Sequence, residues 1–387
     1  MLWLHVPGFA RPDTETRYGS GQVLTDFKHW LVTDAFMSKG KQKIISFLKK
    51  NKVKNPHLLL THAHGDHGDG FFDIMDDSYF TPAALYCYDP ESLRLGLRNN
   101  EGSAEVKKDI EYLYKLINKA KRHGIPVIYL NHGDNIQLGD IQVKVYREQP
   151  ARVEDDDTKG WDYTNSGSLC SFYPELYYWT SGDGPDKVCE LKRRVGAHVV
   201  VFEISHHGNN CNRPQAAGMK ADGAILCWYS DLEPNGIGTT EFTQYGARRC
   251  KEAGLTVFDT IGDINALFFG RKSYWYHAGK CVTYTCAYAG NSVLRSLRVD
   301  VTRAILRGEY GSGDERITNI IAAGYGPKQA QTKVNKVIEI AAGIKAGKLD
   351  YGKGDARRAK IDQELGKGYG QLVQDYINVL YGIRKAV

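Results

Sequence analysis

Four side chains that bind metal ions well stand within six residues of the chain: His62, His64, Asp66 and His67. They follow an apolar run at residues 57–61 that is typical of a buried β-strand. Because residues two apart in an extended segment face the same way, His62 and His64 can converge on one cation. Gly65 lets the chain turn and brings Asp66 and His67 toward a second cation. Imidazole and carboxylate ligands favour two divalent metal ions, zinc first, with manganese or iron as alternatives.

Further ligands for a pair of ions are present downstream. Asp183 follows a strand-like run at 176–180 and lies between two glycines, and a carboxylate there can bridge two cations. Because neighbouring residues on a strand point to opposite sides, we expect only one of His206 and His207 to bind metal. The other would donate a proton to the leaving group or bind substrate. The candidate metal ligands are His62, His64, Asp66, His67, Asp183, His206 and His207, and the candidate catalytic residues are Asp66, His206 and His207.

The elements that must position these side chains alternate between strand-like and helical patterns over the first 290 residues. Apolar runs predict strands at 31–33, 57–61, 126–130, 141–145, 176–180, 199–203 and 224–228. Between them, residues 104–123 place apolar side chains three and four apart, which predicts an amphipathic helix ended by Gly124 and Pro126. Alternating strands and helices indicate a layered α/β domain.

Composition excludes several classes of protein. The chain has 387 residues, of which 42% are hydrophobic and 25% charged, which is ordinary for a globular protein with room for two domains. No apolar run approaches the roughly 20 residues of a membrane span, and the N-terminus shows no secretory signal, so we expect a protein made in the cytoplasm. The eight cysteines form no CxxC pair and are interpreted as free thiols, with Cys281 and Cys286 the one pair that deserves a check.

The last quarter of the chain differs from the rest in its predicted secondary structure and in its charge. From residue 295 onward there are 17 Lys or Arg residues against 10 Asp or Glu residues, whereas the chain as a whole has a net charge of +6. Short helical patterns separated by glycines replace the strands, and a segment at 305–316 returns at 344–357 with two extra residues. Repetition at about 40 residues predicts two copies of one small helical unit. A basic unit of this kind suits an anionic polymer, either of the cell wall or nucleic acid.

Roughly residues 15–275 resemble the metallo-β-lactamase superfamily, and most closely its branch of ComEC competence proteins and related phosphodiesterases. The resemblance is carried by residues 19–22, 62–67, 165–169, 180–183 and 205–208. It implies a four-layer αββα sandwich. It also implies a first metal held by His62, His64 and Asp183, and a second held by Asp66, His67, Asp183 and one of the paired histidines.

One ligand of that superfamily is missing here. Many members carry a further histidine before the Gly-Asp strand, but the strand-like run at 141–146 ends in Arg147 without one. His132 comes too early and is interpreted as a surface loop residue. The first metal is therefore expected to be bound weakly or to be completed by water.

The two tail copies resemble the three-helix cell-wall-binding repeats at the C-termini of phage lysozymes. The resemblance implies binding to peptidoglycan muropeptides. It implies contact residues Tyr310, Gly311, Gly313, Asp314 and Arg316 in the first copy and Gly352, Gly354, Asp355 and Arg357 in the more divergent second copy. The alternative for the two aspartates is a role as helix N-caps. We expect a catalytic domain at 1–290, a first repeat at 298–340 and a second repeat at 341–387.

Together these features predict a metal-dependent hydrolase directed to the bacterial cell wall. The leading hypothesis is a phosphodiesterase in which a metal-bridging hydroxide attacks phosphorus, reaching the wall after holin-type release. The alternatives are a ComEC-like DNA nuclease, a peptidoglycan amide or ester hydrolase of the phage lysin type, and a wall-binding protein without catalytic activity.

Overall fold

The computed structural model describes residues 1–9, 19–97, 104–147, 164–165, 167–184, 187–208, 211–230, 245–290 and 297–383. The chain divides into two compact units, Met1–Ser292 and Val293–Val387. The first unit contains all the strands that the described residues form, and the second is helical.

The larger sheet of the first unit has nine strands in the order β16-β15-β14-β1-β2-β3-β4-β5-β6 within the described ranges. Strands β3 to β6 pair in parallel, and the others pair antiparallel. The strands are β1 Leu2–Val6, β2 Gly21–Thr25, β3 Trp30–Ala35, β4 His57–Leu59, β5 Ala84–Cys87, β6 Val127–Tyr129, β14 Ile264–Phe269, β15 Lys272–His277 and β16 Lys280–Thr285.

The smaller sheet has seven described strands in the order β13-β12-β11-β10-β9-β8-β7. Strands β10 to β13 pair in parallel, and β7 to β10 pair antiparallel. The strands are β7 Asn135–Leu138, β8 Ile141–Tyr146, β9 Cys170–Tyr173, β10 Tyr178–Thr180, β11 Val201–Glu203, β12 Leu226–Trp228 and β13 Thr256–Phe258.

Helices cover one face of each sheet. Helices α1 (Gly40–Lys50), α2 (Gly65–Asp76), α3 (Pro90–Leu97) and α4 (Ala104–Arg122) follow the strands of the larger sheet. Phe47 of α1 packs edge-on against Trp3 and Trp30 of that sheet. The smaller sheet carries the helices Val188–Arg194, Arg213–Ala221 and Tyr245–Glu252, whose apolar side chains share one core with Trp179 and Phe202.

The other faces of the two sheets meet each other. Tyr178 of β10 donates a hydrogen bond to Gln22 of β2 at 2.7 Å, and its ring packs on Trp275 of β15. Central strands such as β3 and β10 are buried on both faces, because a sheet lies on one side and helices lie on the other. The predicted four-layer αββα sandwich of the metallo-β-lactamase fold is confirmed by this arrangement. The predicted strands all form, although β4, β6, β10, β11 and β12 are shorter than their apolar runs.

The parallel strands place the candidate ligands at one end of the sandwich. Strands β3 and β4 of the larger sheet and β10 and β11 of the smaller sheet run in parallel pairs. The loops that follow β4, β10 and β11 carry residues 62–67, 183 and 206–207. Parallel strands end at the same edge, so these loops converge where the two sheets meet.

The second unit contains five helices among its described residues: Val299–Leu306, Gly313–Ala322, Pro327–Lys345, Gly354–Leu365 and Tyr369–Leu380. The long central helix contributes Ala330 and Val334 to one apolar core and Val337 and Ile340 to another. It runs through residue 340, where the sequence places the boundary between repeats. The two helical copies therefore share one continuous helix.

The cysteines are unpaired, as the sequence interpretation expects. Cys281 is exposed, Cys286 is buried, and all eight are free thiols. The notable pair is instead Cys211 and Cys250, whose buried sulfur atoms lie 3.6 Å apart. Across the described part of the chain, no helix combines the length and the apolar character needed to span a bilayer.

Candidate metal centre

The loop after β4 delivers its histidines into the protein interior. His62 and His67 are fully buried, and His64 is partly buried and stands as the N-cap residue of α2 with an extended backbone. Helix α2 begins at Gly65, so Asp66 and His67 lie in its first turn. The turn that the sequence predicts at Gly65 is therefore the start of a helix.

The first group of candidate ligands contains His62, His64 and Asp183. The Nε2 atom of His62 lies 3.1 Å from the Nδ1 atom of His64 and 3.5 Å from the Oδ2 atom of Asp183. One nitrogen or oxygen atom from each residue falls within 4.8 Å of the others.

The second group contains Asp66, His67, Asp183 and His207, and its atoms are equally close together. The Oδ1 atom of Asp183 lies 3.1 Å from the Nε2 atom of His67 and 3.7 Å from the Nε2 atom of His207. The Nε2 atom of His207 is also 3.1 Å from the Oδ2 atom of Asp66. The two oxygens of Asp183 thus face two different sets of side chains, as expected of a bridging carboxylate.

Asp183 reaches this position because the preceding residue is a glycine. Gly182 has a φ of +53°, and a Cβ atom there would lie 2.5 Å from the Oγ1 atom of Thr61. Both the left-handed backbone and the close approach of the two loops exclude a side chain at this position. The structure therefore explains why a glycine precedes Asp183.

Both of the paired histidines face the site, although only His207 belongs to a metal-binding group among the described residues. Strand β11 ends at Glu203, and His206 and His207 both have left-handed backbone angles, with φ of 51° and 54°. Alternation between strand faces does not apply to such a turn. The Nε2 atoms of both histidines lie within 4 Å of Asp183, that of His206 at 3.9 Å from Oδ2. Two consecutive non-glycine residues with positive φ are a strained arrangement that is typical of functional sites.

Asp34, at the end of β3, contacts both His67 and Thr61. Its Oδ2 atom lies 2.7 Å from the Nδ1 atom of His67, and its carboxylate accepts hydrogen bonds from the backbone and the hydroxyl of Thr61. The Nε2 atom of His67 consequently points to Asp183. Carboxylate partners of this kind fix the orientation of ligating histidines.

The electrostatics of the cluster favour a bound cation. Although burial opposes ionisation, His67 and His207 hold the pKa of Asp66 well below its usual range. Burial likewise opposes charge on His67, but Asp183, Asp34 and Asp66 raise the pKa of its imidazole well above the ordinary value. The cluster thus stabilises positive charge at its centre.

The residues fit a divalent metal ion. The Nε2 atom of His67 and the Oδ1 atom of Asp183 are buried and make no hydrogen bond, although they lie 3.1 Å apart. Two atoms that each lie about 2.1 Å from a zinc ion are separated by at most about 4.2 Å. The separations of 3.1 and 3.5 Å in the first group and of 3.1 and 3.7 Å in the second group satisfy that limit. A cation would satisfy the two buried atoms that hydrogen bonding leaves open.

Sequence reasoning did not identify Asp109 as part of the site. Its Oδ2 atom lies 3.4 Å from the Nε2 atom of His64 and accepts a hydrogen bond from the hydroxyl of Thr164 at 2.5 Å. Asp109 sits on α4, whose apolar stripe was the feature that identified the helix. No spacing within the chain links residue 109 to residue 64, so only the packed structure reveals the contact.

Arg147, which ends the strand-like run that lacks a histidine, has a structural role. Its guanidinium lies 4.2 Å from the ring centre of Tyr88 and donates hydrogen bonds to Ser92 and to the backbone of Gly167. His132 is exposed in a turn, with its Nδ1 atom 2.8 Å from the carbonyl oxygen of Arg147. Neither residue belongs to a metal-binding group among the described residues.

The predicted wall-binding residues occupy equivalent places in the two copies. The Nε atom of Arg316 donates to the carbonyl oxygen of Gly311 at 3.0 Å, and that of Arg357 donates to the carbonyl oxygen of Gly352 at 2.8 Å. These two glycines, with Gly313 and Gly354, have positive φ. The arginines therefore fix a glycine loop in each copy.

The alternative role of Asp314 and Asp355 as helix N-caps is wrong. The N-cap residues are Ser312 and Lys353, and the two aspartates lie in the first turn of their helices. A negative charge in that turn stabilises the helix dipole. Tyr310, half-buried, packs against the first apolar core and accepts a hydrogen bond from Asn319 at its backbone oxygen.

One family model and several solved structures are similar to parts of the chain. The CW_7 repeat, a cell-wall-binding repeat, matches residues 300–338. No curated protein matches the chain in sequence. Among solved structures, the chain is similar to the metallo-β-lactamase fold protein YhfI from Bacillus subtilis, with a TM-score of 0.43 and 11% identity over 68% of this chain and 99% of that one.

Two further structures are similar over about the same share of the chain. The diiron β-hydroxylase CmlA from Streptomyces venezuelae has a TM-score of 0.43 and 10% identity over 68% of this chain and 53% of CmlA. The metallo-β-lactamase SMB-1, bound to 2-mercaptoethanesulfonate, has a TM-score of 0.31 and 14% identity over 65% of this chain and 93% of that one.

Glu203, at the end of β11, is a buried carboxyl beside the site. It accepts hydrogen bonds from the hydroxyls of Thr180 and Ser20, and burial raises its pKa to about 7 from an ordinary value of about 4.5. Between those two values the folded protein holds a proton that the unfolded chain releases. Glu203 therefore makes the protein less stable as the pH rises through this window.

Replacing this carboxyl with an amide removes that pH dependence. We expect Glu203→Gln to gain stability relative to the wild type between pH 5 and pH 8, by up to about 3 kcal/mol, because other groups titrate equally in both proteins. Denaturant unfolding of chelator-treated protein at the two pH values measures the difference. Glu111→Gln, on the exposed side of α4, is the control. A constant difference between Glu203→Gln and wild type at both pH values would contradict this assignment.

Proposed function

We propose that the chain is a metal-dependent hydrolase that acts at the bacterial cell wall, where it cleaves phosphodiester bonds of wall polymers. The observation that carries the proposal is the carboxylate of Asp183, shared by two ligand groups in one buried site. The second support is the cell-wall-binding repeat in the same chain. The fold itself serves many reactions, so the proposal rests on these two features.

The ligand assignment follows the two groups. His62, His64 and Asp183 would hold one cation, and Asp66, His67, Asp183 and His207 would hold the other. Two divalent ions, zinc first and manganese or iron as alternatives, supply Lewis acidity that stabilises the negative charge of a hydrolytic transition state.

The two neighbouring histidines have different parts in this proposal. The side chain of His207 is 2% exposed and close to both Asp66 and Asp183, which suits a metal ligand. The side chain of His206 is 21% exposed and lies farther from Asp183, on the solvent side. The substrate would enter from solvent, so the Nε2 atom of His206 is placed to donate a proton to the leaving group.

The helical unit would bring the enzyme to its substrate. The two loops fixed by Arg316 and Arg357 lie at equivalent places of the two copies and carry the residues that resemble a muropeptide-binding motif. Two weak binding units on one chain strengthen attachment to a repetitive polymer, because the second contact forms at high effective concentration.

The roles of the two histidines are separable by metal content and rate. We expect the wild type to bind two zinc ions and to hydrolyse bis-p-nitrophenyl phosphate. His206→Gln should keep both ions but lose roughly 100-fold or more in kcat on a diester with a poor leaving group, and less on the nitrophenyl ester, which needs no proton. His207→Gln should lose one ion. His123→Gln, in an exposed position, is the control.

Elemental analysis measures the metal content of each variant, and steady-state rates on the same preparations measure its activity. A wild-type protein without bound metal, or without diester hydrolysis under zinc or manganese, would contradict the proposal. Loss of an ion in His206→Gln with full occupancy in His207→Gln would reverse the assignment of the two histidines.

Attachment to the wall is tested by co-sedimentation of the full chain with purified cell walls. The double variant Arg316→Ala and Arg357→Ala should bind at least about 10-fold more weakly, because both glycine loops lose the hydrogen bond that fixes them. Arg298→Ala, which removes an exposed pair with Asp300, should bind normally. Binding to DNA in place of walls would favour the nuclease alternative.

A further inference from the structure

Helix α4 contacts the metal-binding loop and the helix α2 that follows it through two polar side chains, which lie one turn apart. Tyr112 donates a hydrogen bond from its hydroxyl to the Oδ1 atom of Asp69 on α2 at 3.0 Å. Asp109 brings its Oδ2 atom to 3.4 Å from the Nε2 atom of His64. The apolar stripe of the same helix is buried through Ile110 and Leu113. The helix is therefore anchored in the core and holds the loop from one side.

The imidazole of His64 lies between this helix and the first ligand group. Its Nδ1 atom is 3.1 Å from the Nε2 atom of His62, on the side of the proposed cation. Its Nε2 atom faces the carboxylate of Asp109. A ring that binds a metal through one nitrogen carries its proton on the other, and a carboxylate partner there fixes both the tautomer and the ring orientation.

Asp109 is itself held in place. The side chain is 12% exposed, and the hydroxyl of Thr164 donates to its Oδ2 atom at 2.5 Å. A carboxylate that is buried and oriented by a donor keeps one position, which an exposed aspartate on a mobile side chain does not. The contact with His64 is therefore a built feature of the site.

The first ligand group has particular need of such a partner. Within the described residues it has three candidate ligands, whereas the second group has four, and the superfamily's additional histidine is absent. With fewer ligands, the orientation of each contributes more to the affinity for the ion.

We propose that Asp109 is a positioning residue for the first metal ion: it accepts the Nε2 proton of His64 and so directs the Nδ1 lone pair of that ring toward the cation. This inference rests on the proposed metal site but concerns a residue that the site's ligand set does not include. Asp109 is not a metal ligand, but by fixing the ring of His64 it supplies part of the orientation that a fourth ligand would provide.

The test is a zinc titration of the full chain against a chromophoric chelator. Asp109→Asn keeps the shape of the side chain but replaces the carboxylate, and we expect one of the two zinc ions to bind 10- to 100-fold more weakly while the other is unchanged. Cobalt-loaded protein should show a changed visible spectrum, which reports on ligand geometry. Thr164→Val should weaken the same ion by a smaller factor, because the carboxylate remains.

A matched control is present in the same unit. Asp259 pairs with His277 at 3.1 Å, far from the candidate ligands in sequence, and Asp259→Asn breaks a histidine–carboxylate pair of similar kind. It should leave both zinc affinities and the cobalt spectrum unchanged. Thermal unfolding of the chelator-treated variants separates loss of folding from loss of metal.

The outcomes distinguish this inference from the proposed function. Two zinc ions in the wild type with unchanged affinities in Asp109→Asn would overturn the inference alone. Equal weakening of both ions, together with a lower unfolding temperature, would also overturn it, since that pattern marks a structural role. A wild-type chain that binds fewer than two zinc ions would overturn the proposed function and this inference with it.

Discussion

The structure depends on one carboxylate that faces two sets of imidazoles. The Oδ2 atom of Asp183 lies near His62 and His206, and its Oδ1 atom lies near His67 and His207. Asp183 is buried in this position, and a buried carboxylate is stable only beside positive charge or hydrogen-bond donors. The loops from two sheets must therefore converge on a single point, and the parallel strands β3, β4, β10 and β11 bring them there.

This constraint explains several local departures from regular structure. Position 182 is a glycine because its backbone is left-handed and Thr61 occupies the space of a Cβ atom. His206 and His207 are left-handed because both rings turn to the same carboxylate. Their backbone strain, of the order of 1–3 kcal/mol for each residue, must be offset by surrounding packing and by the interactions of the site.

Much of this arrangement could be predicted from the sequence, because its signals are local. The run at 62–67 and the strand-flanking positions of Asp183 and His207 depend on short spacings, and the structure brings the metal-binding side chains among these residues together. The left-handed turn could not be predicted, since its cause is a contact with a distant loop. Asp109 was missed for the same reason, because its partner lies 45 residues away in the chain. In the second unit the repeated glycines were visible, but the N-caps at Ser312 and Lys353 and the helix shared by both copies required the structure.

The central claim is that two cations lie on the two sides of the Asp183 carboxylate. Anomalous X-ray scattering at the zinc edge, from crystals of the full chain grown with zinc, locates such ions directly. We predict two peaks, one among His62, His64 and Asp183 and the other among Asp66, His67, Asp183 and His207. A single peak, or peaks that do not contact Asp183, would contradict it.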